Sequence, residues 1–297
     1  MNGRVCVIVG AEEPLAAAVC RQLAARGATV VATCATGADA SNFRVPGVSQ
    51  PPAVVDLSSR SSIRAFVSEF KRSYQGLHLL INHAQTVPRS RQETADGIER
   101  TWASNVLGLH QLTARLIPML RYCRPARILN VVSSHAGGLD LTDSQFRRRT
   151  WSSATALRAS AQAQHMLTWA WAAGLDASTV TVNAIDPGPY LSTRYQQVSG
   201  LQGVYLRAQD RWSNRTASEA AKAITWAATH ASLTDITDTL LVRGKAVPSA
   251  AFRNREKLLA LISLCEGTSQ VRVQYNSDAF FQEEYDSVSM NRTFQGF

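Results

Sequence analysis

The segment VIVGAEEPLAAAV, residues 7–19, runs from an apolar stretch through one glycine, Gly10, into an apolar helix beginning near Pro14. A strand, a glycine turn and a helix N-terminus in that order can bind a phosphate. The glycine lets backbone N–H groups approach the anion, and the helix dipole favours negative charge there. Glu12, Glu13 and Pro14 oppose that use. Two carboxylates at the positive end of the helix stabilise the helix itself, and proline removes one N–H donor. The loop therefore predicts a self-capped helix start with no diphosphate on it. A second chemical signal is the run Arg147, Arg148 and Arg149, which could clamp a phosphate, RNA or an acidic protein surface. A further basic group is formed by Arg115, Arg121, Arg124 and Arg127. The five cysteines are scattered without zinc-like or redox spacing, and the six histidines form no metal-ligand cluster. These thiols predict buried side chains in a reducing compartment.

The elements that must position these groups alternate short β-rich runs with longer helical ones, which predicts βαβ units and a parallel sheet. Strands are expected in RVCVIV, TVVATC, PPAVVDL, LHLLINH, RILNVVSS and VTVNAID, with helices over 14–26, 60–73, 97–121 and 151–174. Trp169 and Trp171 on the last of these suit a core or a subunit interface, and Arg158, Gln162 and Gln164 interrupt that surface. Residues 191–216 turn polar and irregular and predict a mobile flap. A helix around 217–230 and a strand near 238–243 would close the domain. The fold class is α/β, a Rossmann-like doubly wound parallel sheet in one domain over residues 1–267. The extended tail over 268–297 carries Phe280, Phe281 and Tyr285, rings it cannot bury alone in water.

The chain has 297 residues, 45% apolar and 18% charged, enough for one sizeable core. No apolar run is long enough to cross a bilayer, and RVCVIVG is too short for a signal peptide. Lys and Arg exceed Asp and Glu by 31 to 22, a net charge of +9. Such a balance favours acidic surroundings: nucleic acid, anionic lipid or an acidic protein.

The order of motifs resembles the short-chain dehydrogenase/reductase family, in its retinol-dehydrogenase-like branch. The segments that carry the likeness are VVDLSSRSSIRAF, LHLLINHAQ, ETADGIERTWASNVLGLHQLT, ARILNVVSSHAG and VTVNAIDPGPYLST. The resemblance implies a Rossmann fold, NAD or NADP as cofactor, and redox chemistry on a carbonyl/alcohol pair. It places Asp56 near adenine, Asn82 in the fourth strand, Asn105 and Ser134 at catalytic positions, and Pro187 and Gly188 beside nicotinamide. The family's Tyr-x-x-Ser-Lys falls on WSSAT, so its general acid is replaced by Trp151 and its lysine by Thr155. An indole N–H only donates and does not ionise usefully. Losing general acid/base help costs about 10²–10⁴-fold in rate. His135, beside Ser134, is the one substitute base in the neighbourhood. Of the family's three loop glycines only Gly10 is kept, with Pro14 and Ala16 at the other two. The Asn-Ala-Gly turn has become His83-Ala84-Gln85, and no arginine follows the second strand.

These departures predict a catalytically inactive homologue without a bound cofactor, kept as a structural or interaction subunit of a larger assembly. On that expectation Asn105, Ser134, Asp56, Asn82, Pro187 and Gly188 are vestigial positions with structural jobs. Arg147–Arg149 and the tail rings Phe280, Phe281 and Tyr285 would meet protein partners, an acidic protein polymer or RNA. The expected compartment is the cytoplasm, including the cytoskeleton, with the mitochondrion as the alternative. The other functional expectation is a divergent NAD(P)-dependent oxidoreductase acting on a lipid-like alcohol or ketone.

Overall fold

The structure is a computed structural model that describes residues 1–48, 51–83, 85–192, 195–247 and 252–271. In chain order the first half holds β1 (Val5–Ile8), α1 (Pro14–Ala24), β2 (Thr29–Cys34), α2 (Gly37–Asn42), β3 (Ala53–Val54), α3 (Arg60–Ser73) and β4 (Leu79–Asn82). Next come α4 (Arg100–Trp102), a π-helical segment (Ala103–Gly108), α5 (Leu109–Tyr122), β5 (Ala126–Val131), α6 (Ser153–Gly174) and β6 (Val180–Asp186). The remainder is α7 (Gly200–Trp212), α8 (Ala217–Thr229), β7 (Leu240–Val242), β8 (Lys245–Val247) and α9 (Arg255–Ser269). The sheet order is β3-β2-β1-β4-β5-β6-β7-β8, parallel throughout except for the antiparallel β7–β8 pair.

Apolar residues alternate between the two faces of this sheet. Cys6 and Ile8 of β1, Leu79 and Ile81 of β4, and Leu129 and Val131 of β5 pack toward α1 and α8. Val7, Leu80 and Ile128 point the other way, into the layer of α3, α5, α6 and α9. Both faces are covered, so strands read as nearly continuous apolar runs. Chain order reverses between β1 and β4. In open α/β sheets the ligand crevice lies at such a point, beyond the carboxyl ends of the strands.

Several expectations change in detail. The helix expected over 97–121 is interrupted by the π-helical segment, which carries Asn105, and α5 tolerates Pro118 within it. Residues 191–216 do not form an irregular flap: α7 occupies 200–212. Its inward face is Gly203, Leu206 and Asp210, so it lacks the apolar periodicity that marks a packed helix. A Cβ on Gly203 would fall 1.9 Å from the carbonyl oxygen of Val198, so this glycine allows the helix to close on the preceding turn. Trp169 and Trp171 are core residues. Gln162 and Gln164 do not break up an outer surface. Both are buried, Gln162 accepting from the Leu139 N–H and Gln164 donating to the Asn105 carbonyl. Four of the five cysteines are buried and all are free thiols. Burial pushes Cys6, Cys20 and Cys34 up to about 12.

Gly108 closes the π-helical segment against the loop after β3. A Cβ there would sit 2.2 Å from the carbonyl oxygen of Leu57.

Candidate functional site

At the crevice between β1 and β4 a cleft of about 710 Å³ opens, lined among others by Gly10, Glu12, Glu13, Asp56, His83 and Arg100. Gly10 takes φ +74°, and the amides beside it have partners within the protein. Val9 N–H donates to Ile81, Ala11 N–H to Thr33, and Glu13 N–H to Gly10 itself. Burial raises the pKa of the Glu12 carboxylate, helped by the charges of Asp39 and Glu13 and opposed by the nearby amides of Glu12 and Ala35. Glu13 is the residue capping α1, followed by Pro14, but its side chain makes no capping hydrogen bond. The self-capped start expected from the sequence is therefore corrected: α1 begins at Pro14 without a side-chain cap. A diphosphate needs free N–H donors and no competing anion. Three of the loop amides are engaged and the carboxylates of Glu12 and Glu13 line the same cleft, so the residues of this loop oppose the pyrophosphate of NAD(P).

Asp56, on the same cleft, accepts from the N–H and hydroxyl of Ser58 and shapes the turn into α3. Asn82 turns into the interior, donating to Thr113 and to Asn130 of the neighbouring strand.

Farther along the strand ends, one carboxylate gathers a second group. Asp186 accepts the Ser134 N–H at 2.9 Å on one oxygen and the Gly188 N–H at 2.7 Å on the other. It thereby fixes the exposed Ser134 hydroxyl beside the Pro187-Gly188 turn. His165 stands behind, its Nε2 3.1 Å from the Ser133 carbonyl; burial lowers its pKa against the opposing pull of that carbonyl and of Asp186. Arg215 donates to the Pro187 carbonyl at 2.8 Å, and Arg243 lies over the same turn. Asp186, His165, Arg215 and Arg243 were not singled out from the sequence. The Asp-x-Gly spacing of IDPG was the available signal for Asp186.

Asn105 clamps the loop after β4. Its Oδ1 accepts the Thr86 N–H at 2.8 Å, and its Nδ2 donates to the Thr86 carbonyl at 3.0 Å. Nδ2 also reaches the hydroxyl of Ser160 on α6 at 3.4 Å. The α6 turn that meets Asn105 thus carries Ser160 and Gln164.

Trp151 and Thr155 are not brought to this group. Trp151 precedes α6 and donates its indole N–H to the buried carboxylate of Glu99 at 3.1 Å. Glu99 also caps α4 by accepting from Thr101 and Trp102. Thr155 is exposed and forms a reciprocal capping box with Ser152 at the start of α6. Thr155→Ala is expected to cost about 1 kcal/mol of stability, the usual size of a lost cap. Denaturant unfolding measures it, and an unchanged midpoint would contradict the capping role.

The arginine run also has intramolecular work. Asp143 accepts from the backbone N–H groups of Arg147, Arg148 and Arg149, and these contacts hold its carboxyl down to about 2. The Arg147 guanidinium bonds Gly97, that of Arg148 bonds Thr142, and that of Arg149 pairs with Asp140 and Asp143 over the Phe146 ring. Phe280, Phe281 and Tyr285 lie outside the described residues. Among those described, no cluster of His, Cys, Asp or Glu could hold a metal, and no helix is long and apolar enough to cross a membrane.

The sequence model of the short chain dehydrogenase family matches residues 4–201. The chain belongs to the short-chain dehydrogenase/reductase family. This short-chain dehydrogenase/reductase is 36% identical to human retinol dehydrogenase 12 over 63% of its own length and 62% of that protein's. It therefore spans less than two thirds of that relative. It is 30% identical to human dehydrogenase/reductase SDR family member 12, covering 76% of this chain and 72% of that one. Among solved structures, an uncharacterized protein from Mycobacterium paratuberculosis superposes with a TM-score of 0.72 at 25% identity, over 91% of this chain and 95% of that one. A 3-ketoacyl-(acyl-carrier-protein) reductase from Brucella melitensis, complexed with NADH, shares the fold with a TM-score of 0.62 at 21% identity, over 82% and 99% of the two chains.

Proposed function

We propose that this short-chain dehydrogenase/reductase does not run the family's tyrosine–lysine redox chemistry and serves as a binding or structural subunit. The observation that carries this is the composition of α6, which contains neither tyrosine nor lysine. The contact between Ser160 and Asn105 supports laying the family's Tyr-x-x-Ser-Lys on Leu157–Ala161 instead of Trp151–Thr155. In that register the general acid is Leu157, buried among Ala154, Tyr195, Val198 and Leu206, and the lysine is Ala161. In either register the family's tyrosine and lysine positions carry no ionisable side chain. Ser134 can orient an oxygen, but a serine hydroxyl unassisted by a base is a poor proton shuttle. The two carboxylates that line the cleft at Glu12 and Glu13 support weak or absent cofactor binding. Asp56, Asn105, Asp186 and Gly188 then keep the cleft in shape.

A second reading is a divergent NAD(P)-dependent oxidoreductase acting on a lipid-like alcohol or ketone. The names of the similar retinol dehydrogenases favour it, as does the open cleft beside Gly10 and Asp56. Its proton donor would be His135, half-buried next to Ser134.

Calorimetric titration of the purified chain with NADH and NADPH, followed by a turnover assay on long-chain aldehydes and ketones, separates the two. No turnover and at most millimolar nucleotide binding is expected. Turnover that disappears in His135→Ala would establish the second reading and end the first.

A further inference from the structure

A helix on the surface of a globular protein ordinarily carries one apolar stripe, turned to the core, and a polar outer face. α7 carries two. Its inner face, Gly203, Leu206 and Asp210, is buried. Its outer face presents Leu201, Val204, Tyr205, Ala208 and Trp212. At about 100° per residue these five fall within an arc of roughly 100°. They are far from covered: Leu201 is 89% exposed, Trp212 82%, Val204 57% and Tyr205 55%. Leu201 and Trp212 are two of the most exposed large apolar side chains among the described residues, and they stand at opposite ends of one stripe. An exposed apolar patch of this continuity marks an interaction surface.

Charge selects the occupant. The helix has three charged residues. Asp210 points inward and accepts from the Ser192 hydroxyl. Arg207 flanks the stripe and caps the carbonyls of Tyr195 and Val198, while Arg211 is exposed beside Trp212. Arg215 and Arg243 continue the positive group past the C-terminal end of the helix, where burial and then the charge of Arg243 lower the pKa of Arg215. The opposing carboxylate there is Glu219, which already caps α8. The whole chain carries +9. A helix with Leu, Val, Tyr and Trp on its open face and arginines at the flank matches the boundary of an anionic bilayer. The apolar stripe enters the acyl region, and the guanidinium groups meet headgroup phosphates. Tryptophan and tyrosine favour that boundary, where one part of the ring is apolar and the other wet.

We infer that α7 is a surface-lying membrane-docking helix, which binds this protein to anionic lipid through Leu201, Val204, Tyr205 and Trp212. The stripe borders the candidate site: the Tyr205 ring packs edge-on against His135, the neighbour of Ser134, with centroids 6.0 Å apart. Docking by α7 would thus set the mouth beside Ser134 against the lipid surface. The inference stands whether or not the site performs redox chemistry.

The test is flotation of the full-length protein with vesicles of phosphatidylcholine alone and of phosphatidylcholine mixed with phosphatidylserine. At low salt the wild type is expected to float with the mixed vesicles at least ten-fold more strongly than with the neutral ones. The double variant Leu201→Gln/Trp212→Gln should lose that binding, with an unchanged circular dichroism spectrum, because both side chains are outside the core. Arg211→Glu should weaken binding to the anionic vesicles selectively. Three results would each overturn the inference. One is failure of the wild type to bind. Another is binding that survives the double variant, which would place the contact elsewhere on the chain. The third is a concentration-dependent dimer, seen by sedimentation velocity without lipid and abolished by the same variant, which would make the stripe a contact between copies.

Discussion

Glu12→Ala is expected to tighten NADH binding by roughly 30-fold, about 2 kcal/mol. The Glu12 carboxylate, which lines the cleft beside Gly10, would be gone. One negative charge would be removed from the path of the diphosphate. Two unit charges about 4–8 Å apart near a protein surface interact by about 2–4 kcal/mol, so removal of this one carboxylate accounts for the effect. Glu13→Ala should act in the same direction, because its carboxylate lines the same cleft. Calorimetry on the two variants and the wild type decides the matter. Equal affinities for all three, or micromolar binding by the wild type, would show that the loop does not exclude the nucleotide in the way described.

Stability is expected to fall by about 3 kcal/mol between pH 6.5 and pH 4 on account of His110 alone. This residue, in the first turn of α5, is buried against Trp171, with ring centroids 5.3 Å apart. Neither ring nitrogen has a hydrogen-bond partner among the described residues. Burial disfavours the imidazolium and brings its pKa from 6.5 to about 4. Above pH 6.5 the ring is neutral in folded and unfolded chains alike, and it costs nothing on this account. As pH falls below 6.5 the unfolded chain takes up a proton that the folded chain refuses, so unfolding gains. The loss is complete once the folded ring also protonates, near pH 4. His110→Leu removes the linkage and should be the more stable protein at pH 5, by about 2 kcal/mol. Urea unfolding of both proteins at pH 7 and pH 5 measures the difference. Parallel pH dependence in the two would contradict it.

The fold was readable because its main signals are local. TVVATC and VTVNAID are bounded by polar turns, and they form β2 and β6 over those same residues. Helix α3 likewise follows RSSIRAFVSEFKRS from end to end. What escaped was held by contacts distant in sequence. α7 has a glycine and an acid on its packed side, so its periodicity points outward and reads as a loop. β8 is three residues long and gains definition only by pairing with β7. The candidate site divides in the same way. Asp56 and Gly188 hold turns, as their types suggest. Asn105, by contrast, spends its amide on the loop at Thr86, a partner that spacing could not name. The register on α6 is the clearest case. WSSAT matches the family pattern by eye, but only the packing of Ser160 on Asn105 favours a placement six residues later. The three consecutive arginines read as a free cationic patch because Asp140 and Asp143, which tie them down, belong to an adjacent turn.

Gly108 has one further implication. With no methyl group at that position, the helical segment bearing Asn105 rests directly on the backbone at Leu57, next door to Asp56. The two rims of the crevice are thereby riveted together, and its span is set by a hydrogen atom. A related chain with any larger residue at this joint must hold its rims farther apart, so the identity of this one position should report the gauge of the groove across the lineage.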